Sequence, residues 1–381
     1  MGAFEFEPEF GHEDAGEDIQ IRELTALAEK IYRQREDEAV LQDENLTLQA
    51  LFRIGTSAGG RQAKAIIAIN EETGEIRSGQ VIHEDGFEYH ILKFDLDFEY
   101  GHPATRLEMV YYLMAKAAGL NMMPSRLLDL EGRRHFLTQR YDRKGGQKIH
   151  RQSLAAMNPF ADSYEDLFAT CRRLGIDRAE MIALYRQMVF NFLAGNTDDH
   201  NKNFEFLMGR DGVWHLAPAY DITFTQCNPH GRSSHCLTLR GRTDNVTFKD
   251  MVEFGLDEGI PSPSKVVSQV AEAITKFRDL CSENGIYGFW VDFIEEELAR
   301  LAPDETKDAL MGWKRNRIAG YEQDGMSVMD LRYEPTETGN VHLYASVDGK
   351  NLKYVFRRGS YEADRLLSTE LGSASEEYLK P

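Results

Sequence analysis

Apolar residues return at helical spacing between about Arg178 and Ala194, where Ile182, Tyr185, Val189 and Phe192 form one stripe, and Gly195 stands where such a helix would stop. The period then changes. Phe204-Glu-Phe-Leu-Met208 and Val213-Trp-His-Leu216 flank Gly209-Arg-Asp-Gly212, which predicts two short strands joined by a tight hairpin. Upstream, Leu51–Ile54 and Ala65–Ile69 predict paired strands about the small-residue turn Gly55–Lys64. Phe87–Phe94 alternates like a half-buried strand and sets Lys93 between Leu92 and Phe94. An apolar helix over Leu107–Ala118 follows, ended by Gly119. Near the far end, Val341–Ser346 and Leu352–Arg357 around Asp348-Gly349 predict another hairpin.

The expected class is therefore α+β, with strands concentrated before helices. Four segments are expected: an acidic, mobile stretch at 1–20, a strand-rich unit at 21–142, a helical unit at 143–325 and an extension at 326–381 carrying the hairpin. Ile21 to about Tyr32 reads as helical, and Arg143-Lys-Gly-Gly146 as a flexible connection between the two units.

Composition narrows the setting. The chain has 381 residues and an ordinary apolar fraction, enough for two units with real cores. No apolar run approaches the roughly eighteen residues of a membrane span, and no basic-then-apolar leader opens the chain, so a cytoplasmic protein is expected. Cysteines at 171, 227, 236 and 281 are scattered, which predicts reduced thiols. Cys227, His230, His235 and Cys236 have a loosely metal-like spacing, but the short Ser/Arg-rich gap favours an ordinary loop over a zinc site. A net charge of −19 argues against direct grip on a nucleic-acid backbone, which rests on Lys and Arg.

The chemistry concentrates in Asn196-Thr-Asp-Asp-His-Asn-Lys-Asn203 and in Asp221 of Leu216-Ala-Pro-Ala-Tyr-Asp-Ile222. Phosphoryl transfer in kinases uses an Asp as base, an Asn five residues on for Mg2+, and a later Asp for Mg2+ between the phosphates. Asp198, Asn203 and Asp221 stand in that order. Taken alone, Asp198 and Asn203 read better as a polar turn, since Asp, Asn and His dominate turns. The helix before them and the ribbon after them change that balance, because the ribbon returns Asp221 toward Asn203. Gly59 and Gly60 would let backbone N–H groups approach phosphate oxygens, although the loop is neither a Walker A nor a kinase Gly-rich pattern. Lys93 on its strand could pair with phosphates and with Glu108 of the following helix.

Six pieces in order resemble the HipA family of Ser/Thr kinases, the toxin components of bacterial toxin–antitoxin pairs. They are Thr56–Lys64, Ile91–Phe94, Glu108 with its Tyr-rich helix, Thr138–Arg143, Asn196–Asn203 and Leu216–Ile222. The resemblance implies a two-lobed kinase-like fold, with residues 21–142 as N-lobe and 143–325 as C-lobe. It implies Asp198 as catalytic base, Asn203 and Asp221 as Mg2+ ligands, and Lys202 as a cation that offsets charge on the γ-phosphoryl group. Lys93, paired with Glu108, would contact ATP phosphates, and Ser57, Gly59, Gly60 and Lys64 would belong to the phosphate loop. Gln139, Arg140 and Tyr141 match the hinge that holds adenine through backbone groups, and His200 and Tyr220 lie in segments near the nucleotide. Ser57 also matches a position at which family members can phosphorylate themselves, where an added charge would oppose ATP binding.

The implied cofactors are ATP and Mg2+. The implied partners are a protein substrate, such as an aminoacyl-tRNA synthetase, and a helix-turn-helix antitoxin through which alone DNA would be met. Longer members carry a small N-terminal subdomain before the phosphate loop, which this sequence is expected to lack or to receive from a separate chain. Asp199 replaces a small residue found in some relatives and is expected either to assist metal binding or to face solvent. Two other functions stay open: a small-molecule phosphotransferase, which usually shows a His before its catalytic Asp where this chain has His200 after it, and a catalytically silent nucleotide-binding subunit of an antitoxin–DNA assembly.

Overall fold

Lys64–Asn70 (β1) buries five consecutive residues between its ends, so both of its faces must be covered. It achieves this by lying inside a five-stranded antiparallel sheet. The neighbours are Ile76–Ser78 (β2) and Phe87–Lys93 (β3), followed after a helix, Ala104–Ala117 (α1), by Ser125–Leu130 (β4) and Arg133–Gln139 (β5). The strand order is β2-β1-β3-β5-β4. The structure, a computed structural model, describes Thr25 and residues 63–79, 83, 86–96, 103–130, 132–144, 147–228, 231–323, 325–336, 341–356 and 363–366. The expected strand Leu51–Ile54, the helix from Ile21 and the loop with Ser57, Gly59 and Gly60 lie outside those residues.

Register places Lys64 opposite Lys93 at the end of the β1–β3 ladder. The half-buried alternation expected for β3 fails there, because Leu92, Lys93 and Phe94 are all buried. Helix α1 begins three residues earlier than its apolar stripe predicts. It buries Leu107, Glu108, Val110, Tyr111 and Met114, and the Tyr111 hydroxyl donates to Ala194 O at 2.7 Å in the helical half of the chain.

That half is built on Arg178–Leu193 (α3), capped by Asp177, which accepts from Glu180 N. Every residue from Gln187 to Thr197 is buried, so the helix end and the start of the following loop run through the core rather than over it. His150–Ser153 (β6) and Tyr164–Leu174 (α2) precede α3; Glu205–Met208 (β7) and Trp214–Leu216 (β8) follow it. The expected hairpin is present, with Met208 opposite Trp214, and β6 adds a third strand on its other side. The expected flexible connection is instead a short ladder, Arg143 opposite Lys148, with Arg143 tied to Asp142.

Further helices complete the unit: Phe248–Asp257 (α4), Pro263–Ile274 (α5), Phe277–Glu283 (α6), Phe289–Leu301 (α7) and Gly312–Gln323 (α8). The C-terminal hairpin proves to be part of a larger sheet, Val328–Pro335 (β9), Val341–Val347 (β10), Lys350–Phe356 (β11) and Ala363–Leu366 (β12), in sequential order. Tyr333 of β9 meets the rings of Phe289 and Phe293 on α7 at 5.7 and 6.2 Å, so this sheet shares the helical core. Among the described residues no helix is long and apolar enough to cross a membrane. Cys171, Cys236 and Cys281 are free thiols.

Candidate active site

Two groups of polar side chains meet where the strand-rich half faces the helical one. The first centres on Lys93, whose Nζ lies 2.5 Å from Glu108 Oε1 on α1 and 2.5 Å from Asp221 Oδ1. Burial works against a charge at Lys93, but the Asp221 and Glu108 carboxylates outweigh it and hold the ammonium well above lysine's ordinary pKa. Lys93 in turn draws the Asp221 carboxyl down to about 2, against an opposing effect of burial and with help from Lys64. Lys64 is held below lysine's ordinary pKa, chiefly by burial. Asp221 has φ 55°, the left-handed region that a non-glycine residue enters at a cost, and Asp is among the residues that tolerate it best.

The second group is the loop after α3. Gly195, at φ 64°, turns the chain out of the helix. A Cβ there would lie 3.0 Å from Gln226 Cβ and 3.2 Å from the Phe224 ring, so only glycine lets the loop approach the segment after Asp221 this closely. Thr225 fastens the same approach: its hydroxyl accepts from Thr197 N at 2.7 Å and from Asp198 N at 3.1 Å. The Asp198 carboxylate is 59% exposed, with His200 Nε2 at 3.8 Å and Cys236 Sγ at 4.0 Å. Asn203 Nδ2 donates to Asp198 O at 2.8 Å.

Links between the two groups are specific. His200, beside Asp198, also acts electrostatically on Asp221. Tyr220 donates to Lys202 O at 2.6 Å, and its ring lies 5.9 Å from that of Tyr141. Tyr141 donates to Glu205 Oε2 at 2.5 Å, which sets the Gln139–Tyr141 segment beside the loop. Gln139 N and Arg140 N are spent on Pro124 O and Tyr89 O, at 3.0 and 2.8 Å. The structure thus brings together Lys64, Lys93, Glu108, Tyr141, Asp198, His200, Lys202, Asn203, Tyr220 and Asp221.

The donor set fits a magnesium ion carried on nucleotide phosphates. Such an ion takes one or two protein carboxylates and completes its shell with water and phosphate oxygens. Lys93 holds Asp221 Oδ1, leaving Oδ2 to a cation, and the bond from Asn203 Nδ2 fixes that amide with Oδ1 as its acceptor end.

Asp199 corrects an expectation. It does not face solvent: it is 1% exposed, and its carboxylate is taken up by protein donors, accepting from Tyr164 Oη at 2.6 Å, His235 Nδ1 at 2.9 Å and Cys236 N at 2.8 Å. His235, considered above as a metal ligand, is a buried partner of Asp199, while His230 lies outside the described residues. Sequence reasoning missed Tyr164 and Thr225 and gave His235 a different role, because each meets the loop across a long stretch of chain; only the Asp-Asp doublet hinted at a second role.

A family model described as HipA-like C-terminal domain matches residues 56–278, more than half of the chain. The chain belongs to the HipA-like C-terminal domain family. The match begins at Thr56 and takes in Lys93, Glu108, the Asn196–Asn203 loop and Asp221. A curated relative, the putative kinase Y4mE of Sinorhizobium fredii, is 25% identical over 248 residues, which are 58% of this chain and 56% of the relative. The chain thus matches little more than half the length of that relative. Among solved structures, a chain of the Shewanella oneidensis MR-1 toxin–antitoxin complex of HipA, HipB and operator DNA aligns with TM-score 0.48 and 16% identity, covering 83% of this chain and 74% of that one. The Helicobacter pylori proinflammatory kinase CtkA aligns with TM-score 0.34 and 11% identity over 52% and 90%. This HipA-family chain has an α+β arrangement, a strand-rich unit followed by a helical one.

Proposed function

We propose that this HipA-family chain is a Mg-ATP-dependent kinase that transfers the γ-phosphoryl group to a Ser or Thr hydroxyl of a protein. The observation that carries the reading is Lys93 bridging Glu108 and Asp221 beside a loop that exposes Asp198 and fixes Asn203. Lys93, oriented by Glu108, meets the α/β-phosphates. Asn203 and Asp221 hold Mg2+, which, when bound, neutralises phosphate charge. Asp198 accepts the proton of the acceptor hydroxyl, and Lys202, exposed beside it, offsets charge gathering on the transferred group. Since two hinge amides are already bonded, the adenine contact falls to Tyr141 N–H. Ser57 would be the site of self-phosphorylation, a further part of this proposal.

Family membership supports a toxin role with a helix-turn-helix antitoxin as partner, and the charge of −19 supports DNA contact through that partner alone. Incubation with γ-labelled ATP and a bacterial lysate tests the reading. Label in a protein band that vanishes in Asp198→Gln and in Asp221→Gln is the expected outcome. Label confined to small molecules would make the chain a small-molecule phosphotransferase, and no transfer at all would contradict the kinase reading.

A further inference from the structure

The Asp199 carboxylate, fully enclosed, receives Tyr164 Oη and His235 Nδ1 on Oδ2, and Cys236 N with the longer Leu237 N, 3.4 Å away, on Oδ1. These donors come from two places distant in sequence, α2 and the segment 235–237. A buried carboxylate is tolerable only when so satisfied. The network extends further: Asn191 Nδ2 of α3 donates to Tyr164 Oη at 3.1 Å, and Asn196 Nδ2 donates to Asn191 Oδ1 at 2.9 Å. Backbone bonds run alongside, Cys236 N to Thr197 O at 3.1 Å and Tyr164 N to Thr238 O at 2.9 Å.

We propose that Asp199 is the positioning residue of this site, a buried clamp that joins the loop bearing Asp198 to residues 235–237 and so presents Asp198 to the acceptor in one orientation. The Asp198 side chain is more than half exposed, and the backbone on either side of it is held. Thr225 holds that backbone from before, and Asp199 from after. The same clamp ties the loop to Cys236, whose exposed side chain stands beside the Asp198 carboxylate. The functional part of this proposal rests on the phosphoryl-transfer reading; the clamp itself does not.

Hydrogen exchange on the full chain separates the two. Asp199→Asn keeps the size of the side chain but turns one acceptor into a donor that faces donors. Amides at 196–203 are expected to exchange about tenfold faster, the factor for one lost hydrogen bond, while the β1–β5 sheet keeps its wild-type rates. kcat should fall by about the same factor, with KM for ATP within about twofold. His235→Leu should loosen the same loop, whereas His235→Asn, whose amide can donate from nearly the place of Nδ1, should restore its protection. If Asp199→Asn loses protection everywhere, Tyr164→Phe removes one donor and spares the carboxylate: loosening confined to 196–203 supports the clamp, and unchanged exchange overturns it. Wild-type exchange in a folded Asp199→Asn overturns the clamp, and a loosened loop with wild-type kcat overturns its positioning role. A loosened loop in a chain whose wild type transfers no phosphoryl group would refute the kinase reading and leave the clamp standing.

Discussion

Asp142 shows how one residue beside the site converts charge into stability. Its carboxylate is 5% exposed and meets Arg140 at 2.8 Å, Arg143 at 3.1 Å and Arg151 at 3.0 Å. Burial alone would raise its pKa, but the bond from Arg140 and the charges of Arg140, Arg143 and Arg151 together bring it below the ordinary aspartate value. A carboxyl with a depressed folded pKa stabilises above its unfolded pKa and loses that contribution as pH falls through the folded one. The unfolding midpoint of wild type should therefore drop more between pH 5 and about pH 3 than that of Asp142→Asn. At neutral pH the same variant leaves Arg140 and Arg143 without this carboxylate, while Arg151 keeps Glu205, and should lose roughly 1–3 kcal/mol in denaturant titration. Of the candidate site residues, Asp198, Asn203 and Asp221 could be picked out in the sequence by their order and spacing. Asp199 was not legible, because exposure is decided by what folds over a residue, here Tyr164 and His235 from 35 residues before and 36 after.

At the scale of elements, the joint between α3 and its loop is where backbone conformation matters most. Gly195 combines a positive φ with a close approach to Phe224 and Gln226, so a methyl group there meets backbone strain and contacts that must give by a few tenths of an ångström. Gly195→Ala should cost roughly 2 kcal/mol, seen as a lower unfolding midpoint, and should lower the transfer rate more than it changes KM for ATP. Gly195 was readable as a helix stop, and the hairpin at β7–β8 was readable from its period of two. β9 was missed although Leu331 and Tyr333 alternate with Asp330, Arg332 and Glu334; its ladder with β10 and the packing of Tyr333 on α7 complete it. β6 escaped notice because all four of its residues are half-buried, so no alternation marks it.

For the whole molecule, the two halves are joined by α1, which supplies Glu108 to Lys93 on one side and bonds the helical core through Tyr111 on the other. A shift of α1 would therefore move the partner of Lys93. The division into a strand-rich and a helical unit was legible from the change of period along the chain, whereas the docking of the C-terminal sheet onto α7 depended on contacts that no local pattern announces. In the proposed reading, the Asn196–Asn203 loop and Asp221 form the metal half of a nucleotide site. Calorimetric titration of a non-hydrolysable ATP analogue, with and without Mg2+, into wild type and Asp221→Asn tests it most directly. Mg2+ should tighten binding to wild type by about tenfold or more, equivalent to about 1.4 kcal/mol, and should do little for the variant. An affinity indifferent to Mg2+ in wild type, or raised equally by Mg2+ in Asp221→Asn, would contradict the account.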